Sequence, residues 1–136
     1  MTTTATPVRT RPAAVVVAGA VLVAVVVNLA IYGIGRAVGA DFAFTAVGGS
    51  PTTVDAVTVA GFTAIPLLVG LTAAALLRRW SWVIPTALVV APLLAVATIF
   101  LMTIPADLDT RSTVALACCH LALVPISVLA LRTLRD

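Results

Sequence analysis

From Ala13 to Gly35 the chain runs for 23 residues without one charged side chain. At 1.5 Å per residue, a helix of that length crosses a hydrocarbon core of about 30 Å. Three further apolar runs follow, at about 54–77, 82–104 and 112–131. Hydrocarbon offers no partner to a backbone N–H or C=O, so runs of this kind must satisfy themselves as helices. The expected fold is an all-α membrane protein, a four-transmembrane-helix bundle. Four spans with short connections give an up-down antiparallel order, with residues 13–135 as a single transmembrane domain.

Composition excludes the main alternatives. The chain of 136 residues is 62% hydrophobic and only 10% charged, with a mean hydropathy of +1.21, far from the balance of a soluble domain. All eight basic residues are arginine and all five acids are aspartate, and nearly all lie outside the apolar runs. The net charge of +3 therefore belongs to connections and termini. No basic stripe interleaved with aromatics is present, which argues against a nucleic-acid partner.

The segment Arg78-Arg79-Trp80-Ser81-Trp82 joins the second and third runs. Guanidinium stays in water while indole prefers the headgroup layer, so Arg78, Arg79, Trp80 and Trp82 read as interfacial anchors of a tight turn. Six arginines (Arg9, Arg11, Arg78, Arg79, Arg132 and Arg135) fall on this side of the membrane, against Arg36 and Arg111 on the other. By the positive-inside rule both termini are cytoplasmic. Residues 1–12, threonine-rich and without apolar periodicity, read as a disordered cytoplasmic tail. A cleaved signal peptide fits less well, because its apolar region runs only about 7 to 15 residues.

The connection from Arg36 to Thr53 reads as the longest loop, punctuated by Gly39, Gly48, Gly49 and Pro51, with Phe42 and Phe44 as interfacial anchors. Thr52 and Asp55 have capping-box spacing at the start of the second helix, and Ser81 suits the N-cap of the third. Pro66, Pro92 and Pro125 fall inside predicted helices and would free backbone carbonyls there. Small residues four apart, such as Ala60/Ala64 and Gly70/Ala74, permit close helix contact.

Polar residues inside the spans are the costly ones. Asn28, Thr63, Thr98 and His120 place one polar side chain per helix at about the same depth in the outer half, with Tyr32 one turn beyond Asn28. Turned inward together they would form a polar column opening outward between Arg36 and Asp55. His120 would be its titrating group, since histidine alone has an ordinary pKa near 6.5. Interhelical hydrogen bonding without further function is the simpler reading of the same residues. Arg36 and Asp55 either pair at the outer helix ends or reach separately to water. Cys118, Cys119 and His120 are consecutive, about 100° apart around a helix, and cannot close on one metal ion. No metal or cofactor is expected.

Several of these segments resemble a group of small, uncharacterised four-helix membrane proteins of actinobacteria. The likeness covers nearly the whole chain: an arginine-bearing N-terminal tail, a first helix ending Asn28-Leu-Ala-Ile-Tyr-Gly-Ile-Gly-Arg36, a proline- and glycine-containing outer loop, the arginine-tryptophan turn, and His120-Leu121 in the last helix. It implies the same four-span layout and no particular activity. The sequence thus points to a multi-pass protein of the cytoplasmic membrane without enzymatic activity, structural or accessory. Its partners would be the bilayer and either further copies or another membrane protein. The alternative is a small transporter or proton-linked permease using the polar layer.

Overall fold

A computed structural model describes residues 12–45 and 49–135. The tail, with Arg9 and Arg11, and Gly48 of the first connection lie outside the described residues. The order of elements is α1 (Ala13–Ala37), β1 (Ala43–Thr45), β2 (Pro51–Thr53), α2 (Ala56–Leu77), α3 (Val83–Thr98) and α4 (Thr110–Arg135). A single π-helical turn, Ile99–Thr103, prolongs α3 and ends with Ile104 N–H on the Ile99 carbonyl at 2.8 Å. With that turn included, all four helices are long and apolar enough to cross a membrane.

The helices are not equally packed. α1 lies along both α2 and α4, α3 lies along α4, and α2 has little contact with α3. At the end marked by the arginine turn, all four helices meet. Val17, Leu71, Ala74, Ile84, Ala130, Leu131 and Leu134 form one buried cluster there. Elsewhere large apolar side chains point outward on every helix, among them Leu22 (65% exposed), Phe62 (72%), Leu101 (74%) and Leu129 (63%). Water would penalise such a surface, whereas lipid tails are as apolar as leucine. Helices α2, α3 and α4 run through Pro66, Pro92 and Pro125 respectively.

Helix ends differ from the expected ones by one to a few residues, for identifiable reasons. α1 continues past Gly35 to a Schellman close: Gly39 takes φ +90°, its N–H bonds the Arg36 carbonyl at 3.1 Å, and Ala40 N–H bonds the Gly35 carbonyl at 2.9 Å. At α2 the cap is Asp55 rather than Thr52: its carboxylate accepts the Thr58 N–H at 2.7 Å. Thr52 is instead in a strand. α3 begins after Trp82, and no side chain caps it, Ser81 included. The first connection is not only a loop. Ala43–Thr45 and Pro51–Thr53 pair as an antiparallel hairpin, Phe44 opposite Thr52. Phenylalanine and threonine favour a pleated half-exposed strand, and Pro51, which cannot donate, starts its strand where no donor is required. Among the glycines this short pattern was not visible.

Candidate functional site

The four polar residues of the helices are joined as two separate pairs. Asn28 Nδ2 donates to Thr63 Oγ1 at 2.8 Å between α1 and α2. Both residues are buried, Asn28 at 2% exposed and Thr63 at 4%. Cys119, buried on α4, directs its Sγ to the Asn28 backbone carbonyl at 3.7 Å, a weak donor closing the third side. Asn28 Oδ1 has no partner, and it is the one such buried side-chain atom among the described residues. An orphaned buried acceptor costs about 1–3 kcal/mol.

The second pair joins α3 and α4. Thr98 Oγ1 donates to the Ala95 carbonyl at 2.8 Å and lies 3.1 Å from His120 Nδ1. A hydroxyl has one proton, so with that proton on Ala95 the shared hydrogen of the pair belongs to Nδ1. In the neutral ring Nε2 is then the acceptor. Helical phase explains the division. On α4, Cys119 is the buried residue facing α1, and His120, one position on, is turned toward α3. Among the described residues no hydrogen bond links the two pairs.

At the hairpin end a third cluster forms around Phe42, which is packed inside the protein instead of anchoring at the interface, and it is held by Ser112, Asp109 and Asp107, which the sequence did not single out. Phe42 is fully buried, with a positive φ of 57°. Its ring lies 4.7 Å from that of Tyr32, tilted by 38°, and against Gly35, where an added Cβ would stand 2.9 Å from Phe42 Cζ. Tyr32 therefore belongs to this plug, one turn beyond Asn28. The left-handed backbone costs an ordinary residue of order 1–3 kcal/mol, so the surroundings must hold it, and they do. Phe42 N–H donates to Ser112 Oγ at 2.8 Å, and Ser112 Oγ donates in turn to Asp109 Oδ2. Asp109 Oδ1 accepts the Arg111 N–H at 2.8 Å and the Ser112 N–H at 3.1 Å, capping α4. The hairpin is fastened beside it: Asp107 accepts from Thr45 N–H at 2.7 Å and from Thr45 Oγ1 at 2.6 Å.

Arg36 and Asp55 are not brought together. The Arg36 guanidinium donates to the Ala40 and Asp41 carbonyls at 3.3 and 3.0 Å, while Asp55 is occupied with its helix cap. Arg111 bonds the Val38 carbonyl at 2.9 Å. The hydrogen bond from Ser112 holds the Asp109 carboxyl below the carboxylate range, and Thr45 and Thr58 lower Asp107 and Asp55 in the same way. One signal for this cluster was readable. Asp109-Thr-Arg-Ser112 is an aspartate N-cap three residues before a hydroxyl, although nothing local says that the same serine reaches Phe42, 70 positions away.

At the opposite end the anchor residues form a compact turn. The Trp80 and Trp82 rings stack 6.1 Å apart, Arg79 lies 5.4 Å over the Trp80 ring, and Arg78 Nη1 reaches the Leu134 carbonyl at 3.5 Å. Cys118 is exposed and Cys119 buried, and no group of metal-binding side chains is found among the described residues.

Neither the curated proteins nor the solved structures provide a match to this chain. The pattern of one family, described as a family of unknown function and designated DUF6069, matches residues 8–135, taking in all four long helices, both polar pairs and the hairpin cluster. With nearly its whole length matched, the chain belongs to the DUF6069 family.

Proposed function

We propose that this is a multi-pass protein of the cytoplasmic membrane, an up-down antiparallel four-helix bundle with both termini inside. It acts without enzymatic chemistry, as a structural or accessory component beside further copies of itself or another membrane protein. One observation carries the reading: the charged groups at the hairpin end are spent on the fold. Arg36, Asp55, Asp107, Asp109 and Arg111 each bond the chain's own backbone or hydroxyls, while apolar side chains face outward on all four helices. Antiparallel order is supported by the contacts of α1 and α2. Asn28 bonds Thr63, whereas the earlier Val17 packs with the later Leu71 and Ala74. The arginine distribution supports the orientation. An arginine-only, aspartate-only charge set, together with the sequence resemblance, supports an actinobacterial source.

The test is capture. The tagged full chain, cross-linked in its native membrane and purified in mild detergent, should give a homo-oligomer or a membrane partner at fixed stoichiometry. A monomer with neither would sink the reading. Labelling of Ser81→Cys from the cytoplasmic face and of Thr52→Cys from the outer face checks the orientation.

A second reading, a small transporter or proton-linked permease, is favoured by the unpartnered Asn28 Oδ1 in the middle of a span. Against it stand the separation of the polar layer into two pairs and the Phe42 plug beyond Asn28. Solute or proton flux in vesicles that is lost with Asn28→Leu or His120→Leu would decide for it.

A further inference from the structure

We propose that the arginine-tryptophan end of the molecule binds the phosphodiester headgroup of an anionic phospholipid. The inference needs this turn to lie at a membrane surface, but not a particular side of the membrane or an accessory role. Four observations support it. First, charge is segregated: Arg78, Arg79, Arg132 and Arg135 are at this end, while the four aspartates among the described residues, Asp41, Asp55, Asp107 and Asp109, are at the hairpin end. Second, Arg78 Nη1 reaches the Leu134 carbonyl at 3.5 Å, which sets the turn beside the last turn of α4, where Arg132 and Arg135 stand. Third, Arg79, Trp80, Ser81 and Trp82 line a shallow depression open to the surroundings. Fourth, the Arg79 guanidinium lies 5.4 Å over the Trp80 ring, and that ring is stacked on Trp82.

The chemistry of that depression is specific. A guanidinium presents paired N–H donors that match two oxygens of a phosphate, and its weak hydration lets it leave bulk water at low cost. Ser81 adds a hydroxyl and the indoles add N–H donors, all at the depth where tryptophan settles in a bilayer. The exposed Arg132 and Arg135 extend the field toward the anionic surface. A diester headgroup flanked by acyl chains can satisfy the polar floor and the apolar outer faces of α2 and α3 at the same time. Free phosphate satisfies only the first.

The two tryptophans of the chain are both in this turn, so indole emission reports on the proposed site alone. The full chain is reconstituted in discs of equal phosphatidylcholine and phosphatidylglycerol, with bromine on the upper acyl chains of one lipid or the other. Preferential binding quenches the emission about twofold more when the bromine is on phosphatidylglycerol, as expected for a few arginine-phosphate contacts. Arg79→Gln combined with Arg132→Gln and Arg135→Gln should bring the two signals to equality, and Arg79→Lys should keep part of the difference. These side chains are exposed, and a change in the depth of the turn would move both signals together, so their ratio isolates selectivity. Equal quenching in the unaltered protein overturns the proposal. A preference abolished by low millimolar inorganic phosphate also overturns it, because the site would then be one for free phosphate.

Discussion

Asn28 and Thr63 share one hydrogen bond, yet their losses should not be equal. Thr63→Val leaves the whole Asn28 amide buried without a partner, since Oδ1 already lacks one, and should cost about 1–3 kcal/mol. Asn28→Leu removes the orphan and leaves a hydroxyl that can turn back to its own helix, so the expected cost is near the average of about 0.6 kcal/mol for such bonds in membranes. Unfolding equilibria in mixed micelles or bicelles measure both, and the reverse ranking would contradict the geometry seen here. Titration acts at the other polar end. Asp109, Asp107 and Asp55 have carboxyl pKa values below 3.8, owing to hydrogen bonds from Ser112, Thr45 and Thr58. A folded-state pKa below the unfolded one means that these groups contribute their stability above that value and lose it as pH falls through the folded values. Acidification below about pH 4 should therefore loosen the hairpin end first. Ser112→Ala, which removes the largest cause acting on Asp109, should move the loosening to higher pH. Protection factors of the hairpin amides, compared with far-ultraviolet circular dichroism of the spans, separate the two events.

Between elements, the hairpin depends on the α3–α4 connection. Its three residue pairs are too few for independent stability, and the Asp107 carboxylate accepts both side-chain-mediated bonds from Thr45. Asp107→Ala should accelerate hydrogen exchange at Phe44, Thr45 and Thr52 while the four helices keep their protection. Unchanged exchange in the hairpin would show that β1 and β2 are held by something else. The π-helical turn ends α3 ahead of this connection.

Across the whole molecule, the two ends are built on different principles. The arginine end is joined by apolar packing of all four helices, and the hairpin end by hydrogen bonds around one aromatic plug. Leu131, 2% exposed in the four-helix cluster, should therefore be the more global position. Leu131→Ala is expected to cost about 2–5 kcal/mol and to lower the midpoint of a single cooperative transition. Phe42→Ala should release the cap while the spans stay assembled, a contrast readable in one thermal series followed by both circular dichroism and exchange. Hydropathy and length determined the number of long apolar helices and placed their ends to within about four residues, because a run such as 13–35 has one way to satisfy its backbone in lipid. The prominence of Asn28, Thr63, Thr98 and His120 was legible for the same reason, each being polar where polarity is expensive. What they pair with was not. A shift of one residue, about 100° on α4, decides whether Cys119 or His120 faces α1, and that rotation is set by packing. The Phe42–Ser112–Asp109 clamp was likewise beyond local reading, since its members stand up to 70 positions apart and only the packing of α1 against α4 brings them into hydrogen-bonding distance.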